Sequence, residues 1–457
     1  MADYQLIIIG GGLSGIAAGI RAARYGVRTL ILEQHSLPGG LNSYYRRQGI
    51  LYETGLHAMT NHAPVTEKRA PLNLLFRQLK LPRKEFVTRE QTGSEIRFPD
   101  VRLNFTNDVA VLIDEVNRAF PEEGRRFLRL LECVRTFDPF APGPWRSTRT
   151  FLGEQLNDPL LIDMLLLPVM VYGNAEEKDM DLRQFMIMFR ALFLEGLFRP
   201  EHTIREFLGQ LLDHFKALGG EVRLRKRVDS LTIVGDRITE VVLDDGERLA
   251  AAAVISTAGV PETARLTGWK VGDAYVGRMS FVETILLAPA TAASVAAEAR
   301  AIVFFNDQQR FSYCCPTGPV DPSWGVLCRP DQFQGLDLAN GLQVRVTLSA
   351  RHVYWQSLQP VAYHGAKAVW QNRAREIAAR HLGIAASSLT CLDCFTPVTI
   401  ERFTRKAAGA VYGSAVKVRD GKTPWANLFL AGTDQGYLGI VGSMLSGVAM
   451  VNRHILS

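Results

Sequence analysis

The sequence predicts an α/β protein, a Rossmann-type unit with an inserted mixed α+β domain, and three observations carry that prediction. The chain opens on a short apolar run, Leu6 to Ile9, followed by a glycine-rich turn and a small-residue segment at helical spacing. Its middle, from 221 to 255, alternates strand-like segments with turn chemistry. Its tail repeats the opening pattern, with a strand running into Ala431-Gly432-Thr433-Asp434 and a glycine-spaced helix behind it.

The head is the most explicit element. Gly10-Gly11-Gly12-Leu13-Ser14-Gly15 carries GxGxxG at Gly10, Gly12 and Gly15, Ile16 to Tyr25 continues as a helix, and Gly26 stops it. Val27 to Leu32 forms the next strand, with Glu33 at its end. The three glycines serve different ends. Gly10 allows the tight turn, Gly12 lets backbone approach a pyrophosphate, and Gly15 lets the helix lie close to the strand. The helix N-terminus offers amides and a positive dipole end to phosphates. Glu33 is placed to accept hydrogen bonds from ribose hydroxyls, and its charge disfavours a 2′-phosphate. A dinucleotide site follows.

The 457 residues exceed a single core, so two or three domains are expected. Hydrophobic residues make up 47% and charged residues 21%, which is globular rather than disordered. The net charge of +6, from 52 basic and 46 acidic residues, is spread along the chain. It supports no nucleic-acid role and is compatible with weak attraction to an anionic membrane surface. The N-terminal apolar run is too short for a secretory signal. The best candidate for a membrane span, Leu160 to Tyr172, is short and interrupted by Asp163 and Pro168. Six cysteines in so long a chain do not form a disulfide framework, which points to a reducing cytoplasm, with peripheral membrane association compatible. Cys391 and Cys394 form a lone CxxC without a second pair, so no metal site is expected and two buried or half-buried thiols are the simpler reading.

After Glu33, Pro38-Gly39-Gly40-Leu41-Asn42-Ser43 is a second turn permitting close backbone approach. Tyr44 to Leu51 is strand-like, and Glu53 to Ala58 enters a small-residue turn containing His57. A helix at 72–79 and a hairpin before residue 100 lead into a mostly helical block from 106 to 200. There Phe185, Met188, Phe189, Leu192 and Phe193 share one helical face. This is either a core helix or the wall of a greasy substrate tunnel or membrane-contacting patch. The basic cluster Arg223, Arg225, Lys226, Arg227 alternates with Val222 and Leu224 as a solvated strand face does. At the tail, glycines 432, 436, 439 and 442 precede a helix from Ser443 to Ile455, another N-terminus able to meet a ligand. A cofactor held by both ends of the chain is long, which favours FAD over NAD.

These features resemble the FAD-dependent amine oxidase/phytoene desaturase superfamily. The opening fingerprint, the Gly39-Gly40 loop, the hairpin at Asp244-Asp245-Gly246 leading to Val254 through Ala258, and Leu430-Ala431-Gly432 carry the likeness. Tyr52 to His57, Thr396 to Thr404, Gly409 to Gly413 and Gly432 to Gly447 are most similar to its retinol saturase and carotenoid isomerase branch. The resemblance implies a glutathione-reductase-like FAD domain formed by residues 1–105, 203–272 and 420–457. A substrate domain would take 106–202 and 273–419. It implies that Gly10, Gly12 and Gly15 hold the FAD pyrophosphate and Glu33 the adenosine ribose. Val228 would contact adenine through its backbone, Asp434 the ribityl chain or pyrophosphate, and the Gly439 and Ile440 amides the isoalloxazine. Leu13, Ser14, Gln34, Gly40, Leu41, Gly432 and Val441 complete the cofactor set. The chain departs from the family at Pro200-Glu201-His202-Thr203, where a Pro-x-Gly-Gly segment often stands, and is shorter than typical retinol saturases.

The implied chemistry is hydride exchange between the flavin and a carbon–carbon bond of a hydrophobic polyene or isoprenoid, as saturation, desaturation or isomerisation. His57 is the side chain expected to donate or orient a proton, with a loop histidine bonded to backbone as the alternative. An amine oxidase-like enzyme for a more polar substrate and a flavin- or polyprenoid-binding protein without turnover are the competing functions. No GxSxG elbow supports a hydrolase, and nothing in the sequence sets an oligomeric state.

Overall fold

The computed structural model describes residues 2–288, 300–336 and 342–457. Leu6, Ile7 and Ile8 are fully buried, so strand Tyr4–Ile9 needs cover on both faces, the condition met at the centre of a parallel sheet. Thr29–Glu33 and then Glu221–Leu224 lie parallel on one side of it; Arg248–Ser256 and then Leu428–Leu430 lie parallel on the other. Both ends of the chain thus enter one sheet. The hairpin Val228–Val234 and Arg237–Leu243 joins antiparallel to the first half of Arg248–Ser256.

Helix Leu13–Ala23 covers one face and lies against the C-terminal helix Gly439–His454. Their approach depends on Gly447, where a Cβ would stand 2.1 Å from the Ser14 carbonyl oxygen. The C-terminal helix begins at Gly439, ahead of the expected Ser443, so its first turn carries the glycine-spaced segment itself.

The second sheet is mainly antiparallel, in the order 390–395, 280–288, 342–350, 320–328, 302–306, 94–97, 102–105. The hairpin Ser94–Arg97 and Arg102–Phe105 enters it through parallel pairing with Ile302–Asn306. These two strands therefore belong with the second sheet, although the expected division at residue 105 grouped them with the first. Their pairing partner lies far along the chain, which local pattern does not reveal. Tyr44 to Leu51, expected as one strand, is the start of a hairpin, Tyr44–Arg47 with Ile50–Glu53, turned by Gln48 and Gly49 at φ 51° and 80°.

Helix Leu182–Phe189 and the π turn Arg190–Leu194 that continues it are core. Phe185, Met186, Phe189 and Leu192 are fully buried, and the Phe189 and Phe193 rings lie 4.9 Å apart. The membrane-contacting reading of this segment is thereby corrected: neighbouring helices and the second sheet cover its apolar face. Among the described residues no helix is long and apolar enough to cross a membrane.

Candidate cofactor site and its apolar wall

The glycine turn is built as its chemistry requires. Gly10 stands at φ 105°, its amide donates to the Leu32 carbonyl at 2.8 Å, and a Cβ there would meet Thr257 Oγ1 at 2.4 Å. At Gly15 a Cβ would lie 2.0 Å from the Gly10 carbonyl oxygen, so this position sets how near the helix comes to the turn. Gly12 differs. Its φ of −74° suits any residue, and a Cβ would meet only the Gly40 Cα at 3.9 Å. The space above Gly12 and Gly40 is a floor of bare backbone between two loops. The Gly39 amide, donating to the Gly11 carbonyl at 2.8 Å, ties those loops together.

Leu13 is buried in the core and Ser14 occupies the first helical turn, its hydroxyl buried with no protein partner. Glu33 is buried at the end of its strand, accepting from the Gly11 amide at 2.7 Å and the His35 amide at 2.7 Å. Gln34 beside it is half-buried. Gly11 was missed in the fingerprint, yet a Cβ there would sit 3.0 Å from the Glu33 Cβ. Gly40 is exposed and Leu41 half-buried, its carbonyl accepting from Thr54 Oγ1 at 2.7 Å. Val228 is buried opposite Leu243, at the end of its strand beside a register shift.

From the other end of the chain, Gly432 takes φ 95° and donates its amide to Ser446 Oγ at 2.7 Å. Ile440 and Val441 point into the core, so their first-turn amides, and not their side chains, are what they can offer a ligand. Asp434 is buried behind this turn. Its carboxylate accepts from the Val260 amide at 2.7 Å and the Ser414 amide at 3.0 Å, with Lys406 Nζ 3.9 Å away. Burial alone would raise its pKa, but Lys406, Lys417 and these amides together hold the carboxyl below its usual value. The carboxylate thus clamps three loops together at the turn expected to meet the cofactor.

His57 lies where the two sheets meet. Its Nε2 is 2.9 Å from Glu283 Oε2, and Glu283 Oε1 accepts from Arg345 Nε at 2.7 Å. Arg345 also donates to the Thr54 and Leu56 carbonyls, and Arg199 donates to the Leu56 and His57 carbonyls at 2.6 and 2.8 Å. The alternative reading of a histidine ring bonded to backbone does not hold; the ring faces a carboxylate. Sequence reasoning missed Glu283, Arg345 and Arg199. The His57 loop continues to Thr60, whose hydroxyl lies 3.6 Å from where a Cβ on Gly439 would be, so it borders the C-terminal helix N-terminus.

That N-terminus is anchored in apolar core. Leu438, the residue before it, belongs to the same hydrophobic cluster as Phe185, Phe189, Phe304 and Trp324, and Ala58, Tyr172 and Tyr412 pack against that cluster. Elsewhere the simpler readings fit. Arg223 pairs with Glu221 and Glu247, and Lys226 with Asp245. Cys391 and Cys394 are free thiols, the Cys394 thiol pushed up to about 12 by burial.

Comparison with known proteins agrees with this architecture. The model of the flavin containing amine oxidoreductase family matches residues 13–290. The chain is 26% identical over 289 residues to the lycopene-forming phytoene desaturase of Pantoea ananas, covering 56% of each chain. It is 21% identical over 290 residues to the chloroplastic prolycopene isomerase of Arabidopsis thaliana, covering 56% of this chain and 47% of the relative. The matches span about half the length of these curated relatives. An oxidoreductase structure from Methanosarcina mazei superposes with a TM-score of 0.69 at 14% identity, covering 98% of this chain and 99% of that one, and shares the fold. The residues present fit FAD: the bare floor between Gly12 and Gly40, the orphaned Ser14 hydroxyl, the buried Glu33 carboxylate and a second helix N-terminus from the opposite end of the chain. The chain belongs to the flavin containing amine oxidoreductase family, with FAD as its cofactor.

Proposed function

We propose that this protein is an FAD-dependent oxidoreductase acting on carbon–carbon bonds of a hydrophobic polyene or isoprenoid, of the carotenoid or retinoid kind. One observation carries the reading: the helix N-terminus expected to meet the flavin is continuous, through buried Leu438, with the large aromatic-rich hydrophobic cluster of the second domain, and Tyr172 and Tyr412 pack on that cluster. Apolar surroundings of this kind suit a polyene better than a polar substrate. The names of the relatives, a phytoene desaturase and a prolycopene isomerase, point to the same substrate class.

FAD supplies a two-electron hydride acceptor or donor when bound. The chain's own residues orient the substrate against the apolar wall, exclude water, and hold a proton at the His57 imidazole. An apolar substrate also needs an entry route. The segment 138–146 supports peripheral contact with a lipid surface: Phe140 is 67% exposed and Trp145 51% exposed, while Arg135 and Arg146 lie nearby. Phe140 also stacks on Tyr437, 6.2 Å between centroids, just before the C-terminal helix begins.

Product analysis tests the reading. Oxidised and reduced holoenzyme are incubated with carotenoids and retinoids in micelles, and the products are separated by chromatography. A product differing by two hydrogens, or a geometric isomer, is expected. Unchanged polyenes in both redox states would overturn the reading.

A further inference from the structure

The buried contact between His57 and Glu283 has a geometry that a merely structural ion pair does not require. Glu283 lies on strand Ser280–Ala288, opposite Thr347 of strand Leu342–Ala350. Arg345 is two residues along from Thr347, so both face the same side of the sheet as Glu283. That face meets the 53–57 turn. Arg345 takes one carboxylate oxygen of Glu283 and His57 Nε2 lies on the other, with Thr347 Oγ1 at 3.5 Å from that second oxygen. Arg345 and Arg199 meanwhile fix the backbone of the turn through the carbonyls of Thr54, Leu56 and His57, and Cys328 Sγ contacts the His57 carbonyl at 3.6 Å.

We propose that Glu283, backed by Arg345, is a positioning residue that fixes the tautomer of His57: neutral His57 carries its proton on Nε2, and Nδ1 is the nitrogen presented to substrate. An ionised carboxylate only accepts, so the ring nitrogen facing it must donate. Burial would raise the Glu283 carboxyl, but Arg345 and His57 outweigh it and hold the group at about 2, so it is ionised at neutral pH. Arg345 balances that charge, and the carboxylate stays an acceptor for the ring. A lone pair on Nδ1 suits His57 to take a proton from a substrate carbon and return it in the reverse direction. Once protonated there, the imidazolium keeps Glu283 as its counter-charge. The assignment of His57 to the proton rests on the polyene reading above; the tautomer does not.

The tautomer can be measured directly. Holoenzyme labelled with 15N-histidine is examined by NMR, the His57 signals being identified by their loss in His57→Phe. The expected wild type shows a protonated Nε2 and an unprotonated Nδ1. Glu283→Leu, which has no acceptor, should lose that fixed tautomer, Glu283→Asp should retain it, and kcat should fall roughly 10–100-fold in Glu283→Leu with KM changed less than about threefold. Glu283→Leu leaves Arg345 buried without its counter-charge, so the double variant Glu283→Leu, Arg345→Leu is measured beside it, with flavin absorbance as the check on folding. A proton on Nδ1 in the wild type, or the same tautomer in a folded double variant, overturns the proposal. A tautomer that responds as expected in a protein that converts no polyene supports the positioning and contradicts the polyene reading alone.

Discussion

The Glu33 carboxylate is fastened to the turn it serves: one oxygen accepts from the Gly11 amide at 2.7 Å, and the other from the His35 amide at 2.7 Å. The acid expected to bind ribose also braces the glycine turn, so fold and cofactor share one side chain. Glu33→Ala should lower Tm and weaken FAD binding by about 1.5–3 kcal/mol, the range for hydrogen bonds to a charged group. Titration of apoprotein with FAD measures the loss. Unchanged affinity would remove Glu33 from the site.

Two fingerprint glycines should behave differently. A Cβ on Gly12 meets only ordinary contact, whereas one on Gly15 would clash with the Gly10 carbonyl oxygen at 2.0 Å. Gly12→Val should therefore fold and purify without flavin colour. Gly15→Ala should be destabilised by about 1–3 kcal/mol as apoprotein, from overpacking against backbone. Denaturant unfolding of both apoproteins separates the two effects.

Asp434 should report on stability more than on cofactor contact. Replacing it with Asn removes an acceptor from the Val260 and Ser414 amides, an expected cost of about 1–3 kcal/mol. Its folded pKa is depressed, so the stability it contributes is complete above the unfolded value of about 3.9 and is lost as pH falls through the folded value. Glu283, held at about 2, acts in the same direction over a similarly acidic window. Thermal melts from about pH 6 to about pH 3 should fall less steeply for Asp434→Asn than for wild type.

The aromatic segment 185–193 is a second stability test. Phe189 is fully buried, so Phe189→Ala should cost about 3–5 kcal/mol. Phe189→Glu should prevent folding, where a membrane-contacting helix would tolerate it.

The exposed pair Phe140 and Trp145 should instead govern lipid contact. Phe140→Ser with Trp145→Ser should leave the fold and FAD loading intact with a modest drop in Tm, since the changes remove only the stacking on Tyr437 and the hydrogen bond from Trp145 Nε1 to Glu176. Sedimentation with anionic liposomes should fall. Undiminished sedimentation would move membrane contact elsewhere.

How much was legible in the sequence depended on how local its cause was. Gly10, Gly12, Gly15 and Glu33 lie within one strand–turn–helix–strand unit, so spacing alone predicts the turn that the structure shows. The strand ending at Leu430 and the helix beyond it carried the same kind of signal. Glu283 and Arg345 carry none, because their meeting depends on the register of two strands well separated in the chain. Asp434 was placed in the right turn, but its carboxylate direction depends on Val260 and Ser414, brought there by the fold. The apolar stripe at 185–193 was visible, and what covers it was not, since periodicity marks an apolar face without naming its partner.

The central claim is tested most directly by mixing anaerobically reduced holoenzyme with carotenoids and retinoids while following flavin and polyene absorbance together. Flavin reoxidation coupled to a blue-shifted polyene, or a change of polyene isomer with the flavin still reduced, or desaturation when the oxidised enzyme is used instead, is expected. No change in flavin or polyene in either redox state, with FAD fully bound, would contradict it.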